Sequence, residues 1–197
     1  LSLNSQAYRD VEELLKATRE AIDLARKLRA FSGQEKLAVA SVDLNELVDG
    51  MADMLARLAG PDIEVRLHLA TGGALALADA GQLHGILCQL VRNAAEAMPT
   101  GGVVTLETAV SDAGADDTVT DLGNGCAVAG TFAVLSVCDS GPGVSPALLG
   151  KILQPFVTTK PNAQGLGLSA AYGVIRQHGG YLAYRPAAGG GAEFQIY

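Results

Sequence analysis

Three short polar or glycine-containing segments, each attached to an apolar helix or strand, constrain this chain more than any other feature. The first is the helical stretch of residues 89–98, and the second is the turn of residues 139–143. The third, residues 165–169, opens another predicted helix. A glycine turn that stands alone often marks only a change of direction. Three such segments in succession indicate one site that is assembled from all of them.

The residue types of the first segment suit a phosphate-bound metal ion. Gln89, Asn93 and Glu96 are spaced at i, i+4 and i+7, so their side chains share one face of a helix. Side-chain oxygens in such a stripe suit Mg²⁺, which proteins commonly share with the phosphates of a substrate. Asn93 taken alone would also fit an exposed helix surface.

The two glycine segments add the chemistry of a base pocket and a phosphate site. Asp139 follows an apolar predicted strand, where its carboxylate can accept a hydrogen bond from an exocyclic amine. Gly141 and Gly143 allow the backbone to approach a flat ring closely. Gly165 and Gly167 offer backbone N–H groups at a helix start to phosphate oxygens. Each segment alone also fits a strand-ending turn or a packing contact.

The three segments resemble the asparagine box and the two glycine boxes of the sensor histidine kinase ATP-binding domain, in the gyrase/Hsp90/histidine kinase/MutL superfamily. Between the glycine boxes, residues 154–161 resemble the P-F-F-T-T-K-P segment of these kinases. Residues 189–194 resemble the G-x-G-T-x-F segment of the last hairpin. The similarity covers residues 41–197, and a weaker match reaches back to Ala7.

The resemblance implies a reaction in which the γ-phosphoryl group of ATP is transferred to a histidine. Gln89 and Asn93 become the catalytic candidates, and Asn93 would also coordinate Mg²⁺. Asp139 would bind the adenine amine. Phe156 would pack the lid, which we define as residues 154–164, and Lys160 is either a phosphate contact or a solvated lid residue. The full set of implied nucleotide-binding residues is Asn93, Glu96, Asp139, Gly141, Gly143, Phe156, Thr159, Lys160, Gly165, Leu166, Gly167 and Leu168.

Three departures from the kinase motifs leave other functions open. Gln89 replaces the usual Asn, and because an amide cannot take a proton, it disfavours a water-using ATPase. Ala163 and Gln164 replace the Gly-Thr pair of the second glycine box, and Ala192 replaces the Thr of the last hairpin. Since the change at Ala163 falls on the lid, a degenerate, non-catalytic module that acts as a dimeric scaffold or phosphotransfer partner is the alternative to a kinase.

The amino-terminal residues predict a long helix that forms a bundle. Residues 6–31 contain no Pro or Gly, and an apolar seam recurs in steps of three and four. The seam comprises Val11, Leu14, Thr18, Ala21, Ala25 and Leu28. One helix cannot bury this face alone, so we expect a homodimer. Residues 21–32 resemble the second helix of the dimerisation and histidine-phosphotransfer domain.

The three histidines lack the sequence context of the family's phosphate acceptor, so the acceptor is expected outside this chain. The predicted domains are a partial dimerisation helix, residues 1–34, and an ATP-binding domain, residues 41–197. The order of helices and strands predicts an α+β two-layer sandwich, with helices on a mixed, mainly antiparallel sheet. Residues 111–130 lack periodicity and predict a long hairpin loop or insertion.

Charge and hydropathy narrow the expected partners. The net charge of −7 argues against nucleic acid, because phosphate-backbone binding needs clustered Lys and Arg. No window reaches the roughly 18 apolar residues of a membrane span, so no membrane contact is expected from this fragment. The expected partners are ATP, a response regulator or phosphotransfer protein, and a second copy. We interpret the ends as those of a fragment from a longer protein. The fragment is expected in the cytoplasm, and the sequence leaves open a membrane anchor elsewhere in that protein.

Overall fold

The computed structural model describes residues 8–15, 18, 37–113, 119–160 and 164–197. The helices are α1 (Leu44–Ala59), α2 (Ala80–Ala97), α3 (Pro146–Leu149) and α4 (Gly167–Gln177). The strands are β1 (Ala40–Asp43), β2 (Ile63–His68), β3 (Leu75–Ala78), β4 (Gly102–Ala113), β5 (Val119–Thr120), β6 (Ala127–Val128), β7 (Gly130–Asp139), β8 (Leu182–Pro186) and β9 (Ala192–Ile196).

The two long helices begin where their sequences place a capping aspartate. Asp43 precedes α1, and its Oδ1 accepts a hydrogen bond from the backbone N–H of Asn45 at 2.9 Å. Asp79 does the same for α2, where its Oδ1 accepts from Gly81 and Gln82. A capping side chain satisfies backbone donors that have no partner within the helix. Both aspartates therefore act as the N-caps that a sequence of Asp followed by an amphipathic run predicts.

The main sheet has the order β2-β4-β7-β9-β8. The pair β2–β4 is parallel, and the other three pairs are antiparallel. Strands β4 and β7 form a long antiparallel pair that runs from Val104 opposite Asp139 to Ala113 opposite Gly130. The pairing of β7 with β9 continues to Cys138 opposite Glu193, beside the end of β7. The register thus brings the last hairpin next to Asp139.

Helices α1, α2 and α4 pack on one face of this sheet and form the principal core. Leu55 of α1, Leu87 of α2 and Ile175 of α4 are buried there with Leu106 and Leu135 of the sheet. Burying a side chain of this size contributes about 1.5–3 kcal/mol relative to leaving it exposed. The opposite face carries a smaller cluster that includes residues of β5, β6, β7 and β8. The predicted α+β fold class is confirmed.

The segment 111–130, for which the sequence predicted a long hairpin loop or insertion, contains more regular structure in its described parts than its lack of periodicity indicated. Strand β4 extends to Ala113, and β5 and β6 form a short antiparallel hairpin. Asp121, between β5 and β6, is completely buried and accepts a hydrogen bond from the hydroxyl of Tyr172. This order depends on contacts with distant residues, which a search for local periodicity does not detect.

The predicted amino-terminal domain, residues 1–34, lies largely outside the described residues. Residues 8–15 and 18 are helical, and the side chains of Val11, Leu14 and Leu15 are exposed. Strand β1, which the sequence did not predict, pairs with β3 as a separate two-stranded sheet. Within the parts of the chain that the structure describes, no helix has the length and apolar character needed to traverse a bilayer.

Candidate functional site

A cavity of about 740 Å³ is lined by α2, the end of β7, the lid, the start of α4 and the last hairpin. It brings together most of the residues that the sequence proposed, although they come from distant segments. Those in its wall are Gln89, Asn93, Glu96, Asp139, Gly143, Thr159, Lys160, Gly165, Leu166, Gly167 and Leu168. Of the proposed residues, all of which are described, Gly141 and Phe156 lie outside the wall.

The carboxylate of Asp139 is buried at one end of the cavity and has a fixed orientation. Its Oδ1 accepts hydrogen bonds from the backbone N–H of Gly141 at 2.9 Å and of Ala192 at 3.2 Å. The side chain therefore joins the glycine turn to the last hairpin. Ala192 stands where the kinases have Thr, and its contribution to Asp139 comes from the backbone, which does not require a side-chain hydroxyl.

The last hairpin approaches Asp139 so closely that only glycine fits at one position. A Cβ atom added to Gly191 would lie 1.6 Å from the backbone oxygen of Asp139. No side chain can occupy that space without separating β9 from β7. This contact explains why a glycine, Gly191, directly precedes Ala192.

The polar face of α2 forms a chain of hydrogen bonds along another wall of the cavity. The side-chain Nε2 of Gln89 donates to Oδ1 of Asn93 at 2.8 Å. The Oε1 of Gln89 accepts from the Nη2 of Arg92 at 2.7 Å. Arg92 lines the cavity but was absent from the candidates drawn from the sequence. Its i+3 spacing from Gln89 was the signal that could have identified it.

Residues 157–160 of the lid line the cavity, and Lys160 contacts α2. The Nζ of Lys160 lies 2.6 Å from Oε2 of Glu96 and 3.4 Å from the backbone oxygen of Asn93. About a third of the Lys160 side chain and somewhat less than half of the Glu96 side chain remain exposed. A partly exposed ion pair of this kind is worth little, at most about 1 kcal/mol. Lys160 can therefore exchange this partner for another anion.

The position of Phe156 differs from the predicted packing of its ring in the lid. Its side chain is 70% exposed. The backbone turns there with a φ of 67°, and the N–H of Phe156 donates to the carbonyl of Gly165 at 2.9 Å. Gly165 itself has a φ of +65°, and an added Cβ would lie 2.6 Å from the carbonyl carbon of Phe156. The turn at Gly165 leads the chain from the lid into α4, and the hydrogen bond from Phe156 holds it.

Helix α4 opens towards the cavity with free donors at its first turn. Its N-cap residue, Leu166, makes no side-chain capping hydrogen bond. Gly167 and Leu168 begin the helix in the cavity wall. Backbone N–H groups at a helix start, together with the positive end of the helix dipole, favour an anion. The start of α4 therefore offers the cavity backbone donors that suit an anion.

The three histidines lie in surroundings that are separate from the cavity. His68 lies 3.1 Å from Glu107 on the sheet, and His84 is exposed on α2. The Nε2 of His178 accepts from the backbone N–H of Asp79 at 3.0 Å, and its Nδ1 lies 2.8 Å from the carbonyl of Val174. Both ring nitrogens of His178 are therefore engaged. None of these three side chains, all of which are described, lines the cavity.

The donor set of the cavity determines which metal ion it could hold. Among the described residues, no cluster of three or more His, Cys, Asp or Glu side chains has a metal-binding arrangement. The oxygens that line the cavity on α2 belong instead to the side chains of Gln89, Asn93 and Glu96. Few protein oxygens, supplemented by water and substrate phosphates, are the usual coordination of Mg²⁺. The residues present fit a metal ion that arrives with a phosphorylated ligand.

Comparison with known proteins agrees with this geometry. Residues 78–197 match the family described as histidine kinase-, DNA gyrase B-, and HSP90-like ATPase. The chain is similar to sensor kinase CckA of Brucella abortus (strain 2308), with 34% identity over 97% of this chain and 20% of that protein. It is also similar to sporulation kinase C of Bacillus subtilis (strain 168), with 29% identity over 95% of this chain and 40% of that protein.

A solved structure extends the similarity to three dimensions. Full-length ShkA in complex with AMPPNP superposes with a TM-score of 0.76 at 25% identity, over 100% of this chain and 39% of that chain. The chain thus spans less than half the length of the relatives that it resembles. Its sequence match, its fold and its cavity agree: the chain belongs to the histidine kinase-, DNA gyrase B- and HSP90-like ATPase family, and its relatives are sensor histidine kinases.

Proposed function

We propose that this chain is the ATP-binding catalytic part of a sensor histidine kinase, whose reaction transfers the γ-phosphoryl group of ATP to a histidine outside the chain. One observation carries the proposal. A single cavity combines the fixed carboxylate of Asp139, the amide chain of Gln89 and Asn93, and the uncapped start of α4. The carboxylate suits the nucleobase, the amide chain suits a metal ion bound to phosphates, and the helix start suits the phosphate oxygens.

Asp139 and its turn form the base pocket in this proposal. Two backbone donors already hold Oδ1, so the carboxylate cannot rotate freely. The second oxygen accepts the exocyclic amine of adenine, and this favours adenine over guanine. Gly143 lies in the cavity wall beside it, while Gly141 acts indirectly, through its N–H bond to Asp139.

The phosphates occupy the other side of the cavity. Asn93 would hold Mg²⁺ through its amide oxygen, and Gln89 and Glu96 lie on the same helix face. When bound, the ion would neutralise charge that develops on the transferred phosphoryl group. The N–H groups at Gly167 and Leu168 bind phosphate oxygens, while Thr159 and Lys160 face the cavity from the lid. Lys160, whose ion pair with Glu96 is partly exposed, would exchange Glu96 for a phosphate oxygen.

The proposed reaction is phosphoryl transfer and not hydrolysis. Gln89 occupies the place where an ATP-hydrolysing relative needs a proton acceptor, and an amide cannot serve as a general base. The acceptor histidine comes from outside the chain, because His178 uses both ring nitrogens in its own contacts and neither His68 nor His84 faces the cavity. The degenerate-module alternative rests on Ala163 and Gln164, and Gln164 lines the cavity where the kinases have Thr.

The wider assembly follows from the same proposal. The proposal assigns residues 1–34 to part of the dimerisation and phosphotransfer domain, and residues 41–197 to the ATP-binding domain. The exposed Val11 and Leu14 belong to the seam that would pair two copies. The phosphorylated histidine passes its phosphoryl group to a response regulator or phosphotransfer protein, in the cytoplasm.

Calorimetric titration with Mg·ATP and Mg·ADP tests the proposal. We expect both nucleotides to bind, and Asn93→Ala to remove most of the Mg²⁺ dependence of ATP affinity without unfolding the domain. His84→Ala, an exposed change on the same helix, is the matched control. Absence of nucleotide binding in the unmutated chain would reject the kinase and support the degenerate module.

A further inference from the structure

We propose that Arg92 is a positioning residue that sets the orientation of the Asn93 amide through Gln89. The inference rests on the proposed function, because it concerns the residue that holds Mg²⁺ there. It assigns a role to a cavity-lining residue outside the matched motif positions. The role is indirect: Arg92 acts through a second side chain and does not itself need to contact the nucleotide.

The argument begins with the direction of two hydrogen bonds. The Nη2 of Arg92 donates to Oε1 of Gln89 at 2.7 Å, and the Nε2 of Gln89 donates to Oδ1 of Asn93 at 2.8 Å. A guanidinium group has five N–H donors and no acceptor. Gln89 must therefore turn its oxygen towards Arg92, which leaves its NH₂ group to face Asn93. Asn93 must in turn present its oxygen.

Without Arg92, the direction of the hydrogen bond between the Gln89 and Asn93 amides would not be determined. Two amides that face each other form an equally good hydrogen bond in either sense, because each has one acceptor oxygen and one donor NH₂ group. Reversal would place the Asn93 NH₂ group where its oxygen now lies, and an NH₂ group cannot ligate a cation. An amide oxygen has two lone pairs, so the bond from Gln89 leaves one for a metal ion. Arg92 thus selects the form that can bind Mg²⁺.

Gly167 restricts the movement of Gln89 on the other side. A Cβ atom added to Gly167 would lie 2.1 Å from Nε2 and 2.4 Å from Cδ of Gln89. The amide therefore packs against the first turn of α4, in space that only glycine leaves free. Gln is one methylene longer than the Asn usual in the kinases, and this extra length lets its amide reach Gly167, Arg92 and Asn93 together.

We call the pair of hydrogen bonds from Arg92 through Gln89 to Asn93 the relay. Nucleotide affinity tests it, with AMPPNP as the probe in the presence and absence of Mg²⁺. We expect Arg92→Met to reduce the gain in affinity that Mg²⁺ provides by about three- to tenfold, the effect of one net hydrogen bond. Affinity without Mg²⁺ should not change, and Arg92→Lys, which keeps a donor without an acceptor, should retain most of the gain. Arg57→Met removes the same charge from an exposed site on α1 and should have no effect.

Equal losses of affinity with and without Mg²⁺ in Arg92→Met would overturn the relay, because they would indicate a direct contact between Arg92 and phosphate. Failure of Arg92→Lys to restore the Mg²⁺ effect would also count against it.

A second measurement needs no nucleotide. The side-chain NH₂ signals of Gln89 can be observed by nuclear magnetic resonance and assigned by their loss in Gln89→Glu. We expect these signals to shift in Arg92→Met and to stay near their original positions in Arg92→Lys. Unchanged signals in Arg92→Met would overturn the relay. If the signals respond to Arg92 but the unmutated chain binds no AMPPNP, the relay is supported and the proposed function is rejected.

Discussion

The hydroxyl of Tyr172 donates a hydrogen bond of 2.8 Å to Oδ2 of Asp121, and this bond joins the β5–β6 hairpin to helix α4. The other oxygen of Asp121 accepts from the backbone N–H of Leu182 at 3.1 Å. A buried carboxylate is tolerated only when hydrogen bonds replace its lost hydration. The pair therefore secures the insertion between β4 and β7 against the helix that opens at the cavity.

Tyr172→Phe should lower the free energy of unfolding by about 1–3 kcal/mol, because it leaves one oxygen of a buried carboxylate with fewer donors. Urea denaturation measures the change. Tyr181→Phe also removes a hydroxyl but keeps the edge-to-face ring contact with Phe132, so it serves as the control. The bond contributes nothing to stability if both variants unfold at the same urea concentration.

The same pair predicts a loss of stability at high pH. Burial, followed by the hydrogen bond and charge of Asp121, raises the pKa of Tyr172 from 10.0 to about 12. A raised pKa in the folded state means that the folded protein holds this proton more tightly than the unfolded chain. The stability that results is complete below pH 10 and is lost as the pH approaches 12. Denaturation across this range should show a steeper fall for the unmutated chain than for Tyr172→Phe.

Asp139→Asn separates the two functions of this side chain. The amide oxygen can still accept from Gly141 and Ala192, so the melting temperature should change little. The NH₂ group that replaces Oδ2 cannot accept from adenine, so ATP affinity should fall about 10- to 100-fold. Asp139→Ala should lose both affinity and stability. Equal affinities for ATP and GTP in the unmutated chain would contradict the assignment of Asp139 to the base.

Gly167→Ala should weaken Mg·ATP binding although alanine favours helices. The added methyl group would displace the amide of Gln89, which lies in the same space. Gly85→Ala on α2 is the control, since an added Cβ there has no neighbour within 4 Å. That change should stabilise the protein by about 0.5–1 kcal/mol without affecting the nucleotide. Calorimetry that finds normal Mg·ATP affinity in Gly167→Ala would show that the contact is not needed.

The double substitution Val11→Asp with Leu14→Asp should abolish homodimerisation. Both side chains are exposed in the amino-terminal helix, and a charge in an apolar seam opposes its burial. Analytical ultracentrifugation should find a dimer that weakens on dilution in the unmutated chain, and a folded monomer in the variant. A monomer at every concentration of the unmutated chain would contradict the proposed seam.

Local sequence patterns predicted the parts of the fold that depend on neighbouring residues. The caps at Asp43 and Asp79 were predictable because a capping side chain contacts the next two or three residues. The pairing of β1 with β3 and the burial of Asp121 were not predicted. Each depends on partners far along the chain, such as Tyr172, that no local period reveals.

The candidate site likewise contains residues that local motifs identified and residues that they missed. The motifs identified Asn93 and Asp139, and the cavity contains both. They did not identify Arg92, because a charged residue on a helix usually faces solvent and only the contact with Gln89 distinguishes it. The exposed ring of Phe156 was missed because the turn at that residue depends on the hydrogen bond to Gly165.

The order of the main sheet has a consequence for aggregation. Its outer strands, β2 and β8, are the places where a foreign strand could add. On β2 the exposed positions carry charged or ionisable side chains, including the ion pair of Glu64 and Arg66. On β8, Asp121 and Leu122 bond both backbone groups of Leu182, and Pro186 ends the strand. The described sheet thus resists edge-to-edge growth between copies of the chain.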